Sequence, residues 1–390
     1  MSWQIKTLAD YFDITSSKRV FQSEWKESGV PFYRAREIVK LAQDGFVEND
    51  LFISEEMYQE YKEKYGVPSA GDLLVTGVGT LGKVYVVKEG DRFYFKDGNI
   101  IWLKKRSDID SKYVDYVFKT PSVQNFIQNS PGATVGTYTI AKAKETEVPV
   151  PPLSEQKRIA IILDKADALR AKRRESIVQL DKLLQSTFLD MFGDPVTNTM
   201  GWEVKALKEL GILDRGVSKH RPRNEPSLLG GLHPFIQTGD VSNSNGYIKS
   251  YTSTYSDLGL KQSKMWPAGT LCITIAANIA NTGVLTFDAC FPDSVVGFLS
   301  EEKGRSEYVQ GLFWFFKDIL DKNAPQVAQK NINLKILRDL HVPFPPISLQ
   351  HRFAAITESI EQQKNRQREH LAELDRLFAS LQSLAFKGEL

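Results

Sequence analysis

The chain contains one stretch twice. Val148 to Asp194 reads VPVPPLSEQKRIAIILDKADALRAKRRESIVQLDKLLQSTFLDMFGD, and Val342 to Gly388 reads VPFPPISLQHRFAAITESIEQQKNRQREHLAELDRLFASLQSLAFKG. One offset of 194 residues, without a gap, maps Pro151 and Pro152 onto Pro345 and Pro346, Ser154 onto Ser348, Gln156 onto Gln350 and Arg158 onto Arg352. It still maps Leu180-Asp181 onto Leu374-Asp375 and Phe192 onto Phe386. A solenoid repeats every ~20–50 residues. A period this long is a duplicated half, so any fold for this chain must hold two equivalent copies.

Both copies read as long helices. The proline pair ends the preceding strand and cannot sit inside a helix. Ser154 and Ser348 then stand where an N-cap is expected, with Glu155 favourable in the first turn. Apolar residues come next at Ile159, Ile162, Ala166, Leu169, Ile177, Leu180, Leu184 and Met191 in copy one. Copy two places them at Phe353, Ile356, Ile360, Leu371, Leu374, Phe378 and Leu381. Steps of three and four make a coiled-coil seam, and at 1.5 Å per residue each helix should reach about 55–60 Å. Neither helix can bury such a stripe alone, so each is the natural partner of the other. The chain runs out along one and must return along the other, which predicts antiparallel packing.

The segments before each helix also echo one another, more faintly. Trp3 to Leu8 matches Trp202 to Leu207, Pro31-Phe32 matches Pro234-Phe235, and GDLLVT from Gly71 matches GTLCIT from Gly269. Asp97 to Leu103 matches Asp293 to Leu299, Tyr113-Val114 matches Tyr308-Val309, and Pro131 matches Pro325. Residues 1–147 and 195–341 are therefore expected to be two mixed, β-rich domains, with helices over 148–194 and 342–390. Within the first domain we expect a strand led by Pro31 to Arg34, a helix from Glu55 to Tyr65, and strands over 71–76 and 83–88. A hairpin should turn at Asp97-Gly98, a helix should run from Tyr113 to Gln128, and a loop from Pro131 to Ile140 should lead to a last strand. The fold class is α+β, a pseudo-twofold internal repeat of domain and helix. The helices kept their sequence and the domains diverged, as if the helices answered to a common partner and the domains to different targets.

At 390 residues each half is large enough for its own core. A net charge of +2 makes no case for nucleic acid by itself, so any basic surface must be local. Cys272 and Cys290 lack metal-ligand spacing and form no disulfide framework, which suits the cytoplasm. The opening MSWQIKTLADYF has no signal-peptide core, and the run Leu271 to Ala280 is too short to span a bilayer.

Gly77-Val-Gly-Thr-Leu-Gly-Lys83 matches the start of a P-loop, yet Val84 stands where a Mg²⁺-binding hydroxyl is required. The segment KVYVVK, from Lys83 to Lys88, alternates like a strand, whereas a P-loop opens a helix. We read it as a glycine-rich loop between strands. Methyltransferase motifs for base chemistry are missing, and His220, His233, His341, His351 and His370 have no nucleophile beside them. No catalytic constellation or metal site is visible.

Basic and amide residues do collect in the domain loops. The first domain offers Lys18, Arg19, Arg34, Arg36, Thr80, Lys83, Lys96, Asn99 and Thr137. The second offers Lys219, His220, Arg221, Arg223, Gln237, Thr238, Asn278, Asn281, Gln329, Lys330 and Asn331. Arg and Lys suit phosphates and guanine edges, and Asn and Gln suit adenine edges, so these are candidate contacts to double-stranded DNA.

The segments PPLSEQKRIAIILDKAD, LLQSTFLDMFGD and PPISLQHRFA, with VPFYRAREI, GDLLVTGVGTLG and QKNIN, resemble the specificity subunit of type I restriction–modification enzymes. The likeness covers the whole chain. It implies a non-catalytic, DNA-binding subunit whose two target-recognition domains each read half of a split target, with the helices setting the unread gap. It also implies docking of two modification subunits and of restriction subunits, for which Gln156, Arg158, Gln350 and Arg352 are candidates. No cofactor is expected on this chain; S-adenosylmethionine, ATP and Mg²⁺ belong to those partners, and no membrane is involved. One departure is that Gly136-Thr137-Tyr138 stands where copy two has Lys330-Asn331-Ile332. The competing readings are a self-contained methyltransferase or nuclease with a degenerate site, and a coiled-coil scaffold without a nucleic-acid role.

Overall fold

The computed structural model describes residues 3–129, 136–222, 225–276, 279–323 and 332–390. Two compact units emerge: residues 1–173 with 370–390, and residues 174–369. The boundaries fall inside the two long helices, Leu153–Phe192 and Ile347–Lys387, so each helix serves both units. At 40 and 41 residues, each is about 60 Å long.

In the first unit a four-stranded antiparallel sheet runs in the order Phe12–Thr15, Ile100–Lys105, Leu73–Thr76, Val84–Val86. A three-stranded sheet orders Phe52–Ile53, Val30–Tyr33 and Tyr94–Phe95. Gln4–Thr7 pairs with Glu147–Val150, the strand that delivers the chain to the first long helix. The second unit repeats the plan with additions. A five-stranded sheet orders Ile212–Arg215, Val295–Leu299, Leu271–Thr274, Thr282–Leu285 and Gly246–Ile248. A four-stranded sheet orders Ser253–Tyr255, Leu229–Phe235, Ala289–Cys290 and Met265–Trp266, and Val204–Ala206 pairs with His341–Pro343.

The long helices run antiparallel inside each unit. In the first, Arg158 donates to the Leu390 carbonyl at 2.6 Å and Arg170 to Asp375 at 2.6 Å, so partner numbers fall as numbers rise. In the second, Asp181 pairs with Lys364 at 2.7 Å and Phe188 packs on Phe353 with ring centroids 5.4 Å apart. Their apolar faces close on the sheets of their own unit. Ile159, Leu163, Ala166, Phe378 and Ala385 join Phe12, Leu73, Tyr113 and Tyr116; Phe188, Phe192, Phe353 and Ile360 join Leu271, Phe298, Tyr308 and Leu312. Leu169, expected in the seam, is 54% exposed.

The repeat persists down to single hydrogen bonds. The Gln156 amide donates to the Pro151 carbonyl at 2.8 Å, and Gln350 to Pro345 at 2.9 Å. The hydroxyls of Tyr113 and Tyr308 donate to Pro149 and Pro343 at 2.8 and 2.7 Å. The indole of Trp202 donates to the Phe192 carbonyl and that of Trp3 to the Ala385 carbonyl, both at 2.9 Å, so each domain opens by closing the end of a long helix.

Four expectations are corrected. Ser154 and Ser348 are not the N-caps: the helices already start at Leu153 and Ile347, and Gln156 and Gln350 hold their first turns from inside. The strand from Val30 ends at Tyr33, and Arg34 caps a helix, Ala35–Asp44, that was not foreseen. The turn at Asp97-Gly98 makes no hairpin. Gly98, at φ +75°, turns the chain from one sheet into another, since Tyr94–Phe95 pairs with Val30–Tyr33 and Ile100–Lys105 with two other strands. The helix expected over 113–128 is two, Ser111–Phe118 and Pro121–Gln128, because Pro121 lacks the donor needed to continue and starts a new helix instead. Residues 131–135 of the expected 131–140 loop lie outside the described residues, and Ile140–Glu145 is a short helix before the last strand.

The two glutamines yield a stability test. Gln156 is 1% exposed and also accepts from the Asp110 amide at 2.9 Å; Gln350 is 0% exposed. Replacing either by Ala strands buried polar groups, and each variant should lose roughly 1–3 kcal/mol in chemical denaturation. A loss below about 0.5 kcal/mol, the ordinary range of surface changes, would show that the clamps are incidental.

Candidate nucleic-acid interface

The loops carrying the sequence-predicted residues are stitched together along one edge of the first domain. The Gly77 amide donates to the Asn99 carbonyl at 2.9 Å, and the Tyr138 amide to the Gly77 carbonyl at 2.9 Å. A Cβ at Gly77 would lie 2.6 Å from the Tyr138 carbonyl, so only glycine lets these strands approach. Thr137 and Asn99 are thus held beside the glycine-rich loop. The Lys96 amide donates to the Tyr33 carbonyl at 2.8 Å, next to Arg34. Ser17 donates to the Phe95 carbonyl at 2.7 Å, the Lys18 amide to the Tyr94 hydroxyl at 2.9 Å, and Arg19 meets Asp97 at 2.8 Å. Burial pushes the Tyr94 phenol up to about 12, which keeps that hydroxyl protonated.

The glycine-rich loop joins antiparallel strands, as its alternation predicted, and no helix comes directly after it. Its anchor is Thr76: the hydroxyl accepts from the Lys83 amide at 3.0 Å and donates to the Thr80 carbonyl. Thr80 and Lys83 are exposed.

The second domain builds the same loop. The Thr274 hydroxyl accepts from the Asn281 amide at 3.0 Å, the Ile275 amide donates to Ser294 at 3.0 Å, and the Ile332 amide to Ile275 at 3.0 Å. Asn281 therefore occupies the position of Lys83, and Ile332 that of Tyr138. The cation of one domain is an amide in the other. Asn281 is tied to its surroundings: its side chain donates to Ser242 at 3.0 Å and accepts from Lys317.

Other predicted residues fall into two groups. Gln262 accepts from the Lys219 and His220 amides at 2.6 and 3.0 Å, which holds both exposed side chains on one loop, and Arg221 reaches Asp293 at 3.4 Å. Gln237 starts the short helix Thr238–Ser242 and donates to Ser253 at 3.2 Å; Thr238 lies in its first turn. By contrast, Arg34 and Arg36 are occupied. Arg34 donates to Glu37 at 3.0 Å and Asp50 at 2.8 Å, and Arg36 to Glu37 and to Asp50 at 3.0 Å. Arg223, Asn278, Gln329, Lys330 and Asn331 lie outside the described residues. Of the docking candidates, Gln156 and Gln350 turn inward and are engaged in the clamps, whereas Arg158 and Arg352 are exposed.

Reasoning from loops missed Lys317, which comes from the helix Arg305–Asn323, and the supporting Gln262, Thr76 and Thr274. The threonines were legible only as a repeated final letter of GDLLVT and GTLCIT. Among the described residues, no three His, Cys, Asp or Glu are placed to hold a metal ion, and no helix is long and apolar enough to cross a membrane.

Glu37 generates a pH test. Burial raises its pKa, but hydrogen bonds from Arg34 and Arg36 outweigh burial and hold the carboxyl below its ordinary 4.5. A depressed carboxylate contributes stability fully above the unfolded pKa and loses it as pH falls through the native value. The acid limb of the unfolding curve should therefore flatten in Glu37→Gln, which should also cost roughly 1.5–3 kcal/mol near neutrality. An unchanged acid limb would show that this cluster does not couple to folding.

Known proteins share both the sequence and the fold. The family model described as type I restriction modification DNA specificity domain matches residues 1–179 and again 200–375. A putative type I restriction enzyme specificity subunit of Haemophilus influenzae is 32% identical over 164 residues, 42% of this chain and 40% of that protein. A putative specificity subunit of Methanocaldococcus jannaschii is 21% identical across 100% of this chain and 93% of its own length. Among solved structures, the S subunit of a type I restriction–modification system from M. genitalium superposes with a TM-score of 0.58 at 15% identity, covering 99% of this chain and 96% of that one. A chain from a structure of type I restriction–modification complex assembly gives 0.58 at 18% identity, covering 100% and 98%.

Proposed function

We propose a function from one premise: this chain belongs to the type I restriction modification DNA specificity family, whose model it matches twice. The chain is the sequence-reading subunit of a DNA methyltransferase and endonuclease assembly. Each domain reads one half of a bipartite target, and the long helices set the unread gap and dock the modification subunits. The observation that carries this reading is the pair of loops pinned by Thr76 and Thr274. Their backbones make the same hydrogen bonds while the side chains they present differ, Lys83 against Asn281. A duplicated scaffold with exchanged side chains is what reading two different sequences requires. Lys83 suits a phosphate, and Asn281 would meet an adenine edge by exchanging its bonds to Ser242 and Lys317.

The chain does no chemistry itself. S-adenosylmethionine, ATP and Mg²⁺ act on the modification and restriction subunits, and cytoplasmic DNA is the substrate of the assembly. Sequence offers no catalytic motif on this chain, and the loop that resembles a P-loop leads into a strand.

Three measurements test this. Lys83→Ala should weaken binding to all DNA sequences alike and lower the salt slope of log K by about one. Asn281→Ala should cost roughly 1–3 kcal/mol on matched DNA and relax one position of one half-target. Equal effects of Asn281→Ala on matched and random DNA would remove it from the readers. Purified chain with labelled S-adenosylmethionine and DNA should transfer no methyl group until modification subunits are added; transfer by the chain alone would overturn the reading.

A further inference from the structure

Two ion triads cross the helix pair, one in each unit. In the first, Arg170 meets Asp167 at 2.8 Å on its own helix and Asp375 at 2.6 Å on the other, with its guanidinium 4.3 Å over the Phe378 ring. In the second, Lys364 meets Glu361 on its own helix and Asp181 at 2.7 Å on the other, and Glu361 also meets Lys249 and Arg368, each at 3.6 Å. The offset of 194 that relates the helices maps Asp167 onto Glu361, Arg170 onto Lys364 and Asp181 onto Asp375. The three places of one triad are therefore the three places of the other. Lys364 is 3% exposed at its side chain and Glu361 9%, while Arg170 is 19% exposed.

Resting on the reading above, we propose that Arg170 and Lys364 are positioning residues that lock the helix pair in one register, and thereby select one gap length between the half-targets. Apolar contacts are non-directional, and a seam stepping by three and four residues can re-form after a slip of one turn. The cations oppose such a slip: moved by a turn, Lys364, 3% exposed, and Arg170, 19% exposed, keep the carboxylate of their own helix and lose the one across the pair. Buried ion pairs are poor stabilisers compared with apolar residues of similar volume, and their best-attested use is to fix register. A slip of one turn, about 5.4 Å, corresponds to between one and two base pairs at roughly 3.4 Å each. Two triads in matching places oppose slippage from both units.

The test compares the full chain with a variant carrying Asp167→Asn, Arg170→Met, Glu361→Gln and Lys364→Met. Leu169→Cys and Leu377→Cys, both half-exposed on opposite helices of the first unit, accept spin labels, and the native Cys272 and Cys290 are buried. The label distance reports register. Methylation by the assembly with modification subunits, on DNAs whose half-targets lie at different separations, reports gap choice. We expect the unsubstituted chain to give one narrow distance and one methylated gap. The variant should keep or raise its melting temperature, broaden the distance distribution, and raise methylation at neighbouring gaps by about tenfold or more. Arg170→Lys with Lys364→Arg, which keeps both cations, should behave as the unsubstituted chain. If the four-residue variant does not fold, Asp167→Asn with Arg170→Met removes only the more exposed triad and should give the same changes in smaller measure. A folded variant with unchanged distances overturns the lock. Broadened distances with an unchanged gap overturn the link to gap choice. An unsubstituted chain that directs methylation to no split target would instead overturn the proposed function, with the label distances still judging the lock.

Discussion

Each recognition domain depends on one buried amide. Gln156 takes the Asp110 amide from the domain and gives its own N–H to Pro151 at the helix entry. Gln350 repeats the second bond at Pro345 and lies 3.4 Å from Arg305 of its domain. A helix start leaves N–H groups without partners, and a proline pair removes two donors that could have tied the entry to a sheet. The glutamine reaches back to the buried proline carbonyl and outward to the domain. It therefore sets the direction in which the helix leaves the sheet. With that direction fixed, the aromatic residues Tyr113 and Phe386 in one unit, and Tyr308 and Phe192 in the other, can meet with ring centroids 5.5 and 4.9 Å apart.

The loops obey a second constraint. A strand ending in threonine, with a tight return after it, lets one hydroxyl accept from an amide seven residues on. The loop backbone is then determined by the threonine and not by the side chain seven residues on, which is exposed Lys83 in one domain and half-buried Asn281, tied to Ser242 and Lys317, in the other. That position can change without loss of the loop, which is the condition under which two copies of one domain can come to read different sequences. Arg34 and Arg36 mark the limit of that freedom. Their charges are neutralised by Glu37 and Asp50, so the cap of the helix Ala35–Asp44 draws on residues that composition alone would give to DNA.

The duplication, the two helices and the paired domains were legible because an offset of 194 is a strong signal that needs no energetic weighing. The glycine-rich loop was legible because alternation after Lys83 excluded a helix. Failures came where long-range contacts decide. Asp97-Gly98 carries a hairpin signature, yet Tyr94–Phe95 finds a parallel partner in Val30–Tyr33, so the turn changes sheets. Leu169 has the spacing of a seam residue, but its neighbour Arg170 takes the inward place by stacking on Phe378. Gln156 was a docking candidate through the family resemblance; only the structure shows it buried.

That last case bears on why the helices resemble each other more than the domains do. Docking the same partner at both helices would be one source of likeness. The structure supplies another. Gln156, Gln350 and Phe192 are at most 1% exposed, and the triad positions at 167, 170 and 181 recur at 361, 364 and 375 with their charge signs intact. These residues serve the helix pair itself. Two antiparallel helices related by a repeat must each present both halves of every contact, so a change at one place has to be answered at the other. Arg352, exposed and repeated, is where a partner would be the better explanation, whereas Arg158 also bonds the Leu390 carbonyl across the helix pair. Inward likeness thus reflects mutual packing, and outward likeness marks the surface where a common partner would sit.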